Sequence, residues 1–122
     1  MPQPQTNLKV ETITLTTEVT DSGDKCVNRH PRRISKRRSE IDVIRVSNAN
    51  PIGSNDSIRI TVDPTEAGQL FDPVPPANKT LAPGESIDWT IRAVMTPPAG
   101  MKFRTDPDTC KGSDQDDITI GC

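Results

Sequence analysis

The chain contains no tyrosine, only two phenylalanines and one tryptophan, and a single histidine in 122 residues. With so few rings, a sugar platform of exposed stacked aromatics is not expected. A basic segment without interleaved aromatics likewise does not read as a nucleic-acid reader. One histidine excludes a type I copper site, which needs two together with a cysteine. That residue, His30, lies among cations, with no neighbouring carboxylate to orient it as a catalytic base. Long apolar runs are missing as well. No segment reaches the roughly 20 apolar residues that cross a bilayer as a helix. No apolar stretch of the signal-peptide kind follows Met1. Only 31 % of residues are hydrophobic, so the expected core is modest and aliphatic, with Trp89 as its largest piece.

What is present is the punctuation and alternation of β structure. Twelve prolines and seven glycines imply many turns and long connections. After the turn Pro83-Gly84, the apolar Ile87, Trp89 and Ile91 alternate with Asp88, Thr90 and Arg92. That period puts one face of a strand in a core and the other in water. Ile58, Ile60 and Val62 alternate in the same way, as do Met101 and Phe103, and then Ile118 and Ile120. In residues 7–20, Leu8 and Val10 are in one phase while Ile13, Leu15 and Val19 are in the other. This predicts a bulge, or a strand that changes sheets. Residues 40–48 predict a second strand, joined to 58–62 as a hairpin by the turn-rich 49–57. A long loop is expected over 21–39, a short helical turn near Thr65–Leu70, and Phe71 tucked into the core. About seven strands with long loops predict an all-β, two-sheet Greek-key sandwich. The domain spans 7–122, behind a Pro-rich N-terminal tether at 1–6.

The pattern Ile44-Arg-Val-Ser-Asn48, followed by Leu81-Ala-Pro-Gly-Glu-Ser-Ile-Asp-Trp-Thr-Ile91, resembles bacterial extracellular immunoglobulin-like domains. There, an early strand ends at Asn and a Leu-x-Pro-Gly-Glu turn precedes an alternating strand. The resemblance covers about residues 40–122. It departs from antibody-type domains in lacking both the Cys…Trp…Cys order and a tyrosine corner. It implies a fold and an exported location (periplasmic, cell-surface or secreted), and no activity. On this reading Met1 precedes a mature exported chain.

The three cysteines, Cys26, Cys110 and Cys122, match no zinc-ligand spacing. In an oxidising compartment they imply one disulfide and one remaining thiol. Cys110–Cys122 is the favoured pairing because it closes a short loop and pins the last strand, worth about 3 kcal/mol at best. Cys26–Cys110 is the alternative and ties together two oppositely charged segments. The net charge of −2 conceals those segments. One is basic: Lys25, Arg29, Arg32, Arg33, Lys36, Arg37 and Arg38, a set suited to a polyanion or anionic surface. Its plainer role is a solvated loop resting on the acidic one. The other is acidic: Asp106, Asp108, Asp114, Asp116 and Asp117, oxygen donors of the kind that hold calcium. Asp106, Asp108 and Asp117 fall at positions 1, 3 and 12 of an EF-hand count. The count fails at Cys110 and lacks the closing glutamate, so a solvated turn is the plainer reading. Two N-x-Ser/Thr sequons, at Asn55 and Asn78, fall near turns.

No nucleophile motif accompanies these charges, and no cofactor is implied beyond calcium. The expected function is therefore non-enzymatic: a structural or adhesive module of an exported or cell-envelope protein, with a protein or envelope partner. The alternative is a binding module whose basic loop, 25–38, contacts a polyanion. Nucleic acid is the less expected polyanion.

Overall fold

A computed structural model of the chain describes residues 8–19, 26–35, 41–92, 101–108 and 117–121. The tether at 1–6 lies outside these residues. Among those described there are nine strands and one helix. The strands are β1 (Val10–Val19), β2 (Cys26–Arg29), β3 (Arg33–Ser35), β4 (Val43–Asn48), β5 (Ile58–Val62), β6 (Asn78–Leu81), β7 (Ser86–Thr90), β8 (Met101–Pro107) and β9 (Asp117–Gly121). The helix α1 (Pro64–Leu70) lies between β5 and β6. Two sheets result, with strand orders β2-β1-β4-β7 and β3-β9-β8-β5-β6. Their inner faces share one core, so the molecule is a β-sandwich, as the alternation predicts.

That core is aliphatic with a short aromatic spine. Ile13 and Leu15 of β1 and Ile44 and Val46 of β4 face Ile58, Ile60, Phe103, Ile118 and Ile120 of the other sheet, all buried. Trp89 on β7 lies with its ring centroid 5.5 Å from Phe71 and 5.0 Å from Phe103, the latter edge-on. Such pairs add about 0.5–1.5 kcal/mol each beyond the area they bury. All three rings are therefore spent on joining the two sheets. Phe71 reaches the core from α1, whose start is set by Pro64 in the first turn and by Asp63, whose carboxylate accepts from the Thr65 and Glu66 amides. Ala67 and Leu70 are its buried face.

Several expectations are corrected. The strands at 43–48 and 58–62 are not a hairpin: β4 pairs with β1 and β7, and β5 with β6 and β8. The 49–57 connection crosses from one sheet to the other, which a long turn-rich segment does as readily as it closes a hairpin. The phase change in β1 is not a bulge. The strand runs unbroken from Val10 to Val19 and changes partner instead, pairing parallel with β4 through Leu15 and antiparallel with β2 from Thr16. Val10 and Val19, at its two ends, are both exposed. The stretch 21–39 is not all loop, because it supplies β2 and β3. Both are short edge strands, too brief for periodicity to reveal.

One end of the sandwich is closed by buried amides. Asn48 at the end of β4 donates from Nδ2 to the carbonyls of Asp56 and Leu81, both at 2.9 Å, and its Oδ1 accepts from the Asn50 amide at 2.9 Å. Its backbone bonds Gly84 and Glu85, in the Pro83-Gly84 turn. Asn50 Nδ2 donates to Thr17 Oγ1 and to the Asp56 carbonyl, and Asn50 Oδ1 accepts from the Thr17 amide. Thr17 Oγ1 in turn donates to Asn28 Oδ1 on β2. The asparagine and the Pro-Gly-Glu turn, read from the sequence as two halves of one pattern, are thus bonded directly to each other. Gly84 carries φ +84°, which non-glycine residues seldom adopt.

Candidate functional site

The two outer faces differ in how their polar side chains are partnered. On the four-stranded sheet, Arg45 and Asp88 are directly opposite and form a two-pronged ion pair at 2.8 and 3.0 Å. Hydrogen bonding to Arg45 holds the Asp88 carboxyl below the usual carboxylate range, against the opposing effect of burial and with a lesser contribution from the Arg45 charge. Ser47 and Ser86 share a hydrogen bond at 2.7 Å in the next row.

The five-stranded sheet sets cations and acids side by side in the same rows. In β8 Lys102 is exposed and Arg104 half-buried on the outer side, while Asp106, in the same phase, is buried. In β5 the same alternation turns Arg59 and Thr61 outward, and in β9 Asp117 and Thr119. Ile34 packs on the core and leaves Arg33 on the outer side of β3. Register then sets three cross-strand rows. One is Thr80, Arg59 and Asp106. The next is Asn78, Thr61, Arg104 and Asp117. The third is Lys102, Thr119 and Arg33. Arg104 Nε lies 3.3 Å from Asp106 Oδ1. Arg33, Arg59 and Lys102 have no ion-pair partner among the described residues. A shallow groove of about 340 Å³ opens at one end of this face, where Asp63, Glu66 and Asp117 lie beside Lys102 and Arg104.

The basic segment expected as one loop is divided. Arg29 lies on β2 and pairs with Glu18 at 2.7 Å, so its partner is an acid of the neighbouring strand and not of the acidic segment. Arg32 is exposed just before β3, and Arg33 joins the outer face of the five-stranded sheet. Lys25, Lys36, Arg37 and Arg38 lie outside the described residues. The acidic segment is divided too. Asp106 belongs to β8, Asp108 is exposed just beyond it, and Asp117 begins β9, while Asp114 and Asp116 lie outside the described residues. Among the described residues, no three His, Cys, Asp or Glu side chains gather as a metal-ligand set. His30 is half-buried and donates from Nδ1 to the Pro31 carbonyl at 2.8 Å.

Cys26 is buried and disulfide-bonded. Cys110 and Cys122 themselves lie outside the described residues.

Sequence reasoning did not group Arg59, Lys102 and Arg104 with Arg33. Their outward orientation was legible in the alternation, but which strands are neighbours was not. Compared with known families, proteins and structures, the chain matches no family model, no curated sequence and no solved structure.

Proposed function

We propose that this chain is a non-enzymatic structural module of an exported or cell-envelope protein, holding its place in a larger assembly and passing tension between its ends. The observation that carries this reading is how the first and last described strands are tied in. β1 runs parallel to β4 over six residue pairs, and β9 runs parallel to β3 over three. In a parallel pair the chain enters one strand and leaves the other at opposite ends of the ladder. Tension along the chain therefore shears all rungs of the ladder together. An antiparallel hairpin pulled at its open end gives way one rung at a time.

An immunoglobulin-like Greek key is the finer fold reading, supported by strand order from β4 onward. β4 and β7 pair in one sheet, β5, β8 and β9 in the other, and β6 extends that second sheet beside β5. That is the division of B and E from C, F and G, with an added strand next to C. The parallel β1–β4 pair departs from the pattern. A second reading, contact with a polyanion through 25–38, is supported by the exposure of Arg32 and Arg33.

Single-molecule stretching of tandem copies tests the load-bearing reading, since forced unfolding reports the barrier and not the equilibrium. Pulled through residues 8 and 121, the domain is expected to unfold in one cooperative step. The force should exceed that needed when handles at Ser57 and Ala82 peel β5 from β6. An end-to-end force equal to or below the peeling force overturns the proposal.

A further inference from the structure

The three rows on the five-stranded face place four cations in one line. Neighbouring strands are about 4.8 Å apart and alternate residues on one strand about 6.8 Å apart. Arg59 on β5 and Arg104 on β8 stand one strand and one row apart, and Lys102 lies one row further along β8. Arg33 shares the row of Lys102 two strands away, across Thr119. The order Arg59, Arg104, Lys102, Arg33 thus forms a diagonal about 20 Å long, with steps of about 7–10 Å. Acids are interleaved with the line: Asp106 stands directly opposite Arg59 and Asp117 directly opposite Arg104, and Asp117 lines the groove together with Asp63 and Glu66. Between the cations, the surface carries the neutral hydroxyls of Thr61 and Thr119, with Thr80 and Asn78 at the β6 edge.

We propose that this diagonal is a binding site for a linear acidic polysaccharide, laid across the outer face of the five-stranded sheet. Spaced cations meet the carboxylate or sulfate groups of successive sugar units. The threonine hydroxyls between them bond sugar hydroxyls. A single-stranded nucleic acid fits less well, because its bases need rings to stack on and Trp89, Phe71 and Phe103 are all buried. The site is independent of the load-bearing reading. It also differs from a basic 25–38 loop, since three of its four cations come from β5 and β8.

Binding is tested by calorimetry and resin retention of the whole oxidised chain, with heparin as the sulfated probe and polygalacturonate as the carboxylated one. At low salt at least one probe is expected to bind, with affinity falling steeply as salt rises. The double variant R59E/K102E should lose about tenfold or more in affinity, the equivalent of about 1.4 kcal/mol, with an unchanged melting temperature. R37E/R38E should lose much less. T119V, which keeps the charge, should weaken binding without changing its salt dependence. Several results would overturn the proposal. They are no binding of either glycan at low salt, a loss confined to R37E/R38E, and retention by polyuridylate or phosphatidylglycerol vesicles in place of both glycans.

Discussion

Asn48 and Arg45 sit on the same strand and each donates two side-chain hydrogen bonds, one inside the sandwich and the other in contact with water. The Asn48 partners are backbone carbonyls that the fold has removed from solvent. Without the amide, the Leu81 carbonyl and the Asn50 amide would each lose a buried bond, at about 1–3 kcal/mol apiece, while the Asp56 carbonyl keeps its bond from Asn50 Nδ2. The Asp88 carboxylate opposite Arg45 is about half-exposed and would simply return to water. Ion pairs of that kind contribute about 0–1 kcal/mol. Two polar contacts of similar length therefore differ severalfold in what their loss costs, because burial decides what the abandoned partner can do instead.

Substitutions can break or sharpen this contrast. The largest effect is expected for Asn48→Ala, which takes a buried bond from both Leu81 O and the Asn50 amide. A loss of about 3 kcal/mol should appear as a lower urea midpoint with an unchanged slope. A loss below 1 kcal/mol would mean that water satisfies these groups, and the contrast would fail. Gly84→Ala comes next, at about 1–2 kcal/mol, because its positive φ penalises a side chain. An added Cβ would also meet Ile52 Cγ1 at 2.7 Å, but Ile52 is 87 % exposed and can turn away. Most of the cost should therefore remain in the double variant Ile52→Ala/Gly84→Ala.

The smallest effect belongs to the surface pair. Arg45→Ala and Asp88→Asn should each lower the urea midpoint less than either substitution above, with a weak coupling that salt removes. The folded-state pKa of Asp88 is depressed. Its contribution is therefore present above the unfolded carboxylate value and lost as pH falls through the folded one. Urea midpoints followed from neutral pH to about pH 2 should decline slightly less in Asp88→Asn than in the parent. An equal decline would assign the acid sensitivity to other carboxylates.

The strands with strong alternation were readable because half-burial imposes period 2 on sequence directly. β5, β7 and the start of β8 appear where Ile58-Ile60-Val62, Ile87-Trp89-Ile91 and Met101-Phe103 placed them. β2 and β3 were hidden because three or four residues at a sheet edge leave too little pattern. The outer face of the five-stranded sheet was half legible. Alternation turned Arg59 and Lys102 outward, but nothing local says that β8 lies between β5 and β9.

The sequence by itself determined the all-β class, the aliphatic core around Trp89, the Pro83-Gly84 turn, and the outward alternation of charges along each strand. These follow from chain geometry acting over a few residues. Tertiary structure alone decided which strands pair, that β1 and β9 are tied in by parallel partners, and that Arg59, Arg104, Lys102 and Arg33 fall into one line. Those facts depend on the order and register of strands far apart in the chain. Order and register are settled only when both sheets close over one core and bury their apolar faces together.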